Sequence, residues 1–321
     1  MPKIKKRLEI INKRVFFNYL YENDKNILKA IFLVCCFFFN LINSKKKNEL
    51  KLAICTMAKE ENLYLKEYID YYKELGFDHI FIFDDNDPNI ENITIDSSYN
   101  NFVTIYDYRH IIKDQKMAYT LCYEMHKNEF DWVFMNDIDE YLVIRNDTIR
   151  NYLSRPEIKK CDFIKIHWIV ATDNNLLHYD NRLLRERFKG PYLNDTHIKT
   201  IVKGNIDGLQ YDVHSPYSAA KKRSTCNNKG KILFNNEKIF FQDVFDINID
   251  YSYIIHYKYK STEEYIKKYK RGYRWENMNF MSMRIDEYFT ENNITLQKIE
   301  YVEKELNLNL SKYREKIGIK A

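Results

Sequence analysis

Glycine and proline are scarce in this chain, at 7 and 5 of 321 residues, which argues for packed elements rather than long linkers. Neither GxGxxG nor GxxxxGK[ST] occurs, so a dinucleotide-binding domain and a P-loop ATPase lack the backbone loops that would cradle their phosphates. No CxxC or other metal-ligand spacing links Cys35, Cys36, Cys55, Cys122, Cys161 and Cys226. They read as free, mostly buried thiols in a reducing compartment. Long apolar runs are missing too. The stretch from Ile27 to Ile42 is uninterrupted only from Ala30 to Phe39, too short for a hydrocarbon core of about 30 Å, and no small-residue cleavage site follows it. A peripheral anchor at a membrane surface or a buried helix is expected there, with a spanning helix the lesser alternative. The net charge is only +5. Its concentration at Lys3, Lys5, Lys6, Arg7, Lys13 and Arg14, and again at Lys45, Lys46 and Lys47, suits an anionic membrane surface better than a nucleic-acid groove.

What is present is a large, aromatic-rich core: 45% of residues are hydrophobic and 16% aromatic, enough for one catalytic domain with appendages. Lys51 to Met57 is a buried-strand pattern. The run Glu60 to Leu75 is helical, with Leu65, Tyr68, Ile69, Tyr72 and Leu75 at three- and four-residue steps, and Gly76 stops it. His79 to Phe83 is a second strand, which makes a βαβ unit and predicts an α/β fold with a mostly parallel sheet. A third strand (Phe102 to Tyr106), a helix from about Asp114 to Lys127 and a fourth strand (Asp131 to Met135) follow. Asp162 to Val170 reads as a later strand, and residues 288–321 as an amphipathic, lysine-rich helical tail that covers the core or rests on a membrane.

Acidic clusters follow the second strand (Asp84-Asp85-Asn86-Asp87) and the fourth (Asp137-Ile138-Asp139-Glu140), and ligands of open α/β sheets bind beyond such strand ends. Read as extended chain, Asp137 and Asp139 share one face while Ile138 points into the core. Two hard oxygen donors suit Mn²⁺ or Mg²⁺. In the strand Tyr251 to Tyr259, the tyrosines and Ile255 occupy one face and leave His256 with Lys258 on the other, where imidazole and ammonium fit a diphosphate and its cation. Ser261 to Glu264 is a capping box opening a helix.

The segments KLAICTMAKEENLYLKEYIDYYKELGFDHIFIFDDND, DWVFMNDIDEYL and IIHYKYKSTEEYIKKYKRG together resemble glycosyltransferase family 92 and related family-2-like bacterial transferases, over roughly Lys51 to Trp275. Lys199 to Lys203 and Tyr211 to Pro216 resemble further elements of that family. The turn after the tryptophan strand departs from it, with Ala171-Thr172-Asp173 where glycines are common. The resemblance implies a GT-A fold with a Rossmann-like nucleotide-sugar core, and transfer of a sugar, with inversion, from a nucleotide sugar such as a UDP-sugar to a saccharide or glycolipid. It implies Asp137, Asp139 and His256 at the metal, with Glu60, Glu61, Asp84, Lys116, Lys258 and Lys260 near the nucleotide sugar. Asp173, Asp207 and Asp212 are candidate bases because each lies in an expected loop; Glu140 and His167 are further alternatives. The expected organisation is residues 1–50 as a basic and apolar surface segment, 51–280 as the catalytic domain and 281–321 as a helical extension. The location expected is cytoplasmic, peripheral to the membrane, with no nucleic-acid partner. A metal-dependent nucleotidyltransferase and a non-catalytic scaffold of the same fold are the rival functions.

Overall fold

The computed structural model describes residues 49–89, 92–109, 114–218, 223–235, 248–272 and 278–319, and statements of absence below concern these residues. The apolar stretch 27–42, the basic residues before Glu49, and Cys35 and Cys36 lie outside them.

Alternation along two strands builds the centre. In β1 (Leu52–Ala58) and β4 (Trp132–Met135), Leu52, Ile54, Trp132 and Phe134 face one way, against Tyr64, Leu65, Tyr68, Ile69 and Tyr72 of α1 (Asn62–Leu75). Ala53, Cys55, Val133 and Met135 face the other way, against Ala118, Tyr119, Cys122 and Tyr123 of α2 (Gln115–His126). A sheet covered on both faces needs near-continuous apolar strands, as these are. Full burial of a large apolar side chain such as Leu52, Ile54 or Phe134 contributes about 1.5–3 kcal/mol. The α1 helix ends as its sequence foretells: Gly76 adopts φ +102 and donates its N–H to the Tyr72 and Lys73 carbonyls.

β2 (His79–Asp84) and β3 (Val103–Asp107) extend the sheet in parallel beside β1. β5 (Glu140–Ile144) follows β4, and two short helices, α3 (Ile149–Ser154) and α4 (Pro156–Lys159), lead to β6 (Phe163–Ala171). A single-turn helix, α5 (Leu184–Arg187), precedes β7 (Tyr192–Lys203), which runs antiparallel between β4 and β6. β8 (Leu209–Tyr211) and β9 (Pro216–Ser218) form a separate hairpin. β10 (Ser224–Asn227) pairs with the first half of β6 and with β11 (Ile232–Asn235), and β12 (Ser252–His256) pairs with the second half of β6 and with β5. The result is a ten-stranded sheet, mostly parallel through β3, β2, β1 and β4, in agreement with the α/β fold expected. Helices α6 (Thr262–Arg271), α7 (Met278–Glu291), α8 (Leu296–Leu306) and α9 (Ser311–Lys316) close the chain. Tyr265, Ile285, Tyr288, Phe289, Ile299, Val302 and Tyr313 gather around Val170 and Tyr259 in a third core.

Three expectations are corrected. Cys55 is bonded to Cys122, tying β1 to α2, and Cys161 to Cys226, tying the start of β6 to β10. Separations of 67 and 65 residues leave no local spacing for a sequence reading to detect. β12 stops at His256, and its better-buried face is Ser252, Ile254 and His256, whereas Tyr251 is exposed and Tyr253 and Ile255 are half-buried. The even-numbered side carries Ile254 into the main core, and His256 lies against Trp168. Finally, Asp137-Ile138-Asp139 is not extended: the Glu140 N–H donates to the Asp137 carbonyl at 3.1 Å, closing a turn. Ile138 is buried as expected. No described helix is long and apolar enough to cross a membrane.

Candidate active site

The turn between β4 and β5 sits at the carboxyl edge of the sheet, and buried phenols hold it. Tyr68 donates to Asn136 Oδ1 at 2.6 Å, Asn136 Nδ2 donates to the Tyr72 hydroxyl at 2.7 Å, and Tyr119 donates to Asp137 Oδ1 at 2.7 Å. From the far side, the Tyr257 N–H donates to the Asp139 carbonyl at 2.8 Å. Three tyrosine side chains are thus spent on this turn, because a phenol packs like a hydrocarbon and still supplies one polar contact.

The two aspartates take different partners. Asp137 accepts from Gln115 Nε2 and, at 3.0 Å, from Lys199 Nζ. Asp139 lies 2.7 Å from Lys268 Nζ and 3.6 Å from both Lys260 Nζ and His256 Nε2. Burial alone would raise both carboxyls, but the lysines prevail: Lys199 keeps Asp137 below the usual range, and Lys268 and Lys260 hold Asp139 well below it. Glu140 goes the other way, because burial outweighs Lys199 and pushes its carboxyl well up. Three carboxylates on one turn are thus shifted in opposite directions, two down and one up. Burial also lowers His256, leaving a neutral imidazole beside Asp139.

Helix α6 supplies the surrounding charge. Its N-cap Ser261 and N3 residue Glu264 form the expected capping box. Glu264, Lys268 and Arg271 recur at four- and three-residue steps and share one face. Glu264 binds Arg187 at 2.6 Å, Lys268 binds Asp139, and Arg271 binds Glu61 at 3.0 Å. Lys260, just before the helix, joins Glu61 at 3.2 Å to Asp139. Lys199, Lys260, Lys268 and Arg271 thus bring four positive charges to a rim that also carries Asp137, Asp139 and Glu61. Lys268 and Arg271 were absent from the sequence reading, although their spacing from Glu264 could have revealed them.

Beside His256 lies a ring cluster: Trp168 contacts His256 at 4.3 Å and stacks on His197 at 5.1 Å, with His214 at 5.2 Å. The Trp168 indole nitrogen and His256 Nδ1 are both buried with no hydrogen-bond partner among the described residues. His197 Nδ1 is 2.6 Å from Asp195 Oδ1. Burial opposes ionisation of Asp195, yet hydrogen bonds from His197 bring its carboxyl down to about 2. This aspartate–histidine pair was also missed, since an Asp-x-His spacing alone carries little signal.

The other sequence candidates separate. Glu61 is buried on the rim, whereas Glu60 is exposed with φ +52. Asp84 organises the loop after β2, accepting the N–H groups of Asn86 and Ile93 at 3.0 and 2.9 Å. Lys116 pairs with Asp212 at 2.9 Å, one residue from Gln115 and so near the turn. Lys258 faces α7, 2.5 Å from Glu287, and is not joined to His256 as the strand pattern suggested. Asp173 is buried in a bond to Lys298 at 2.6 Å and accepts from Tyr288 and the Asn175 N–H, so both its oxygens are engaged. Asp207 pairs with Lys127 at 2.7 Å beyond the end of β7, which lies beside the start of β4. That is the sheet edge opposite Asp137. His167 is buried within β6.

A divalent cation is tested by this donor set. Asp137 and Asp139 are ionised, the His256 imidazole is neutral, and Asp139 Oδ1 is 3.6 Å from His256 Nε2. These are hard and borderline donors of the kind Mn²⁺ accepts. Among the described residues no group of three or more His, Cys, Asp or Glu side chains is placed to hold a metal ion, so Asp137, Asp139 and His256 do not form a cation cage by themselves.

The model of glycosyltransferase family 92 matches residues 49–310. A family 92 protein of Oryza sativa subsp. japonica is 34% identical over 115 residues, 33% of this chain and 19% of the relative. One of Arabidopsis thaliana is 36% identical over 104 residues, 30% and 17% of the two chains, and one of Ricinus communis 28% over 96 residues, 28% and 17%. Each alignment thus spans less than a fifth of the relative. The family match, by contrast, runs from β1 through the acidic turn to the helices that cover it, and the chain belongs to glycosyltransferase family 92.

Proposed function

We propose that this chain is an inverting glycosyltransferase that moves a sugar from a nucleotide diphosphate donor, a UDP-sugar, to a saccharide or glycolipid acceptor. The observation that carries the reading is the Asp137–Asp139 turn at the end of β4, set among Lys199, Lys260 and Lys268. Family membership supports it. Asp137, Asp139 and His256 would hold Mn²⁺ or Mg²⁺, which neutralises diphosphate charge when bound. Lys199, Lys260, Lys268 and Arg271 draw in the diphosphate and stabilise the charge that grows on it as the sugar leaves. A screen of sugar nucleotides with and without Mn²⁺ tests this. Metal-dependent release of nucleoside diphosphate, lost in Asp137→Asn, is expected. Formation of a nucleoside triphosphate and sugar 1-phosphate when pyrophosphate is added would instead mark a nucleotidyltransferase, and binding without turnover a scaffold.

The proton acceptor we propose is His197, oriented by Asp195 and one indole ring from His256. Its side chain is 38% exposed, within reach of an entering hydroxyl. With Nδ1–H donated to Asp195, Nε2 takes the proton of the acceptor hydroxyl as the new bond to the sugar forms. His197→Asn should lower transfer about 10²- to 10³-fold, leave donor binding within about twofold of the parent, and hold the melting temperature. Transfer at the parental rate in that variant would remove His197 from the mechanism.

Both disulfides support an oxidising compartment in place of the cytoplasm first expected, because such bonds are rare in reducing surroundings. The basic and apolar pattern of residues 3–47 supports contact with a membrane surface.

A further inference from the structure

We propose that the groove between α1 and residues 179–187 is a subsite for a neutral pyranose unit of the acceptor, an inference that rests on the acceptor being a saccharide. The groove has a volume of about 190 Å³, with Leu63, Tyr64 and Glu67 on one side and Tyr179, Asn181 and Leu183 on the other.

Charge pairing selects the ligand class. Every charged side chain on the rim already has an opposite partner within the protein: Lys66 with Asp70 at 2.6 Å, Arg182 with Asp180 at 2.6 Å, Arg185 with Glu67 at 3.2 Å and Arg187 with Glu264 at 2.6 Å. The charges cancel pair by pair, so an ionic ligand gains no net attraction and would have to break a pair to bind. The groups left uncommitted are neutral. The Tyr179 hydroxyl and the Asn181 side-chain amide make no hydrogen bond among the described residues. Leu63, Leu183 and Tyr179 are 67%, 43% and 36% exposed, three large apolar side chains converging on one groove. An aromatic face and aliphatic edges beside neutral donors and acceptors match a pyranose, which has an apolar C–H face and a hydroxyl perimeter.

The walls stand without a ligand. Glu67 accepts the N–H groups of Leu184 and Arg185 at 2.7 and 3.2 Å, which fixes the turn carrying Leu183. Glu263 accepts the Tyr179 N–H at 3.1 Å, and the Arg187 guanidinium lies 5.2 Å from the centre of the Tyr179 ring. Such preorganisation spares a ligand the loss of side-chain freedom. Position links the groove to the reaction: the Tyr64 ring at its back has Lys260 Nζ 4.2 Å from its centre, and that nitrogen is 3.6 Å from Asp139. A sugar bound here is an outlying unit of the acceptor, one aromatic ring from the acidic turn.

Saturation-transfer NMR on the full chain, with a panel of neutral methyl hexosides and pentosides alongside methyl glucuronide at millimolar concentration, tests the assignment. We expect transfer to at least one neutral glycoside, reduced at least fivefold in Tyr179→Ala and in Asn181→Ala, with melting temperatures held and sugar-nucleotide hydrolysis unchanged. Absence of any Tyr179-dependent neutral signal across the panel, or preference for the glucuronide, overturns it. If glycoside binding behaves as expected while no sugar nucleotide is hydrolysed even by the parent protein, the proposed donor fails and the groove stands as a glycoside site.

Discussion

Asp139→Ala will both abolish turnover and weaken the fold, whereas Asp137→Asn will abolish turnover with a much smaller stability change. The difference follows from what each carboxylate leaves behind. Asp139 is 4% exposed and neutralises Lys268 and Lys260, the second of which is itself 4% exposed. Without it, Lys260 keeps only Glu61, and Lys268 loses its closest carboxylate. Removing one member of a buried charged network costs about 3–5 kcal/mol, since the remaining charge stays desolvated. In a protein of this size that lowers the Tm on the order of 10 °C. The Asp137 side chain is 30% exposed, and its partner Lys199 retains Glu140 at 3.5 Å. Asp137→Asn keeps the Tyr119 and Gln115 contacts in isosteric form and should cost about 1–2 kcal/mol. Both variants should lose metal-dependent donor turnover by at least about 10²-fold, because each removes an anionic donor from the proposed cation site. Calorimetric melting and sugar-nucleotide hydrolysis on the same preparations separate the two effects. Equal melting temperatures would show that the lysine network does not depend on Asp139.

The central βαβ unit was legible because it is written in two periods that do not compete: β1 and β4 bury both faces, and α1 repeats its apolar positions at three and four residues. Gly76 and the Ser261–Glu264 box are local signals, and local signals survive folding. What failed was long-range. The β12 faces were assigned by counting tyrosines, but the buried face is the one whose Ile254 joins the main core and whose His256 lies against Trp168, more than 80 residues away in sequence. Asp173 looked like a loop carboxylate until α7 and α8 supplied Tyr288 and Lys298. Asp207 looked like a neighbour of the acceptor until the antiparallel course of β7 carried it to the opposite edge. The disulfides are the same case, bringing together cysteines with no spacing signature.

The acidic triplet was found as chemistry and misread as geometry. An extended Asp-x-Asp would point both carboxylates at one ion. The turn instead spreads them, Asp137 toward α2 and β7, Asp139 toward β12 and α6. That spread explains why so many cations gather here: each aspartate recruits its own lysines. A diphosphate arriving with its metal would meet cations already held in place by protein carboxylates.

Lys165→Met will stabilise the protein, and the gain will shrink as the pH is raised. Lys165 and Lys199 are both 1% exposed and sit on adjoining strands, β6 and β7, where Lys165 is in register with Thr200. Their surroundings give opposite results. Burial disfavours the Lys199 ammonium, but Asp137 and Glu140 more than compensate and raise it. Lys165 has only hydroxyls, Thr200 Oγ1 at 3.0 Å and Ser215 Oγ, and burial pulls its ammonium down to about 7. Between about 7 and the ordinary 10.5 the unfolded chain holds a proton that the folded chain has released. Stability therefore rises with pH across that window, and the full penalty is present below it. At about 1.4 kcal/mol per pH unit the 3.5-unit gap bounds the penalty at about 5 kcal/mol. Methionine fills a similar volume, and both hydroxyls keep carbonyl partners, Thr200 on His214 and Ser215 on Pro216. A net gain of about 2–4 kcal/mol at pH 7 is expected, as for other buried charges replaced by apolar groups. Denaturant unfolding of parent and variant from pH 6 to pH 10 measures it, with other titrating groups cancelling in the difference. A gap that stays constant with pH would mean that the ammonium is not what the fold penalises, and a variant less stable throughout would mean that the Thr200 and Ser215 contacts outweigh the cost of burying the charge.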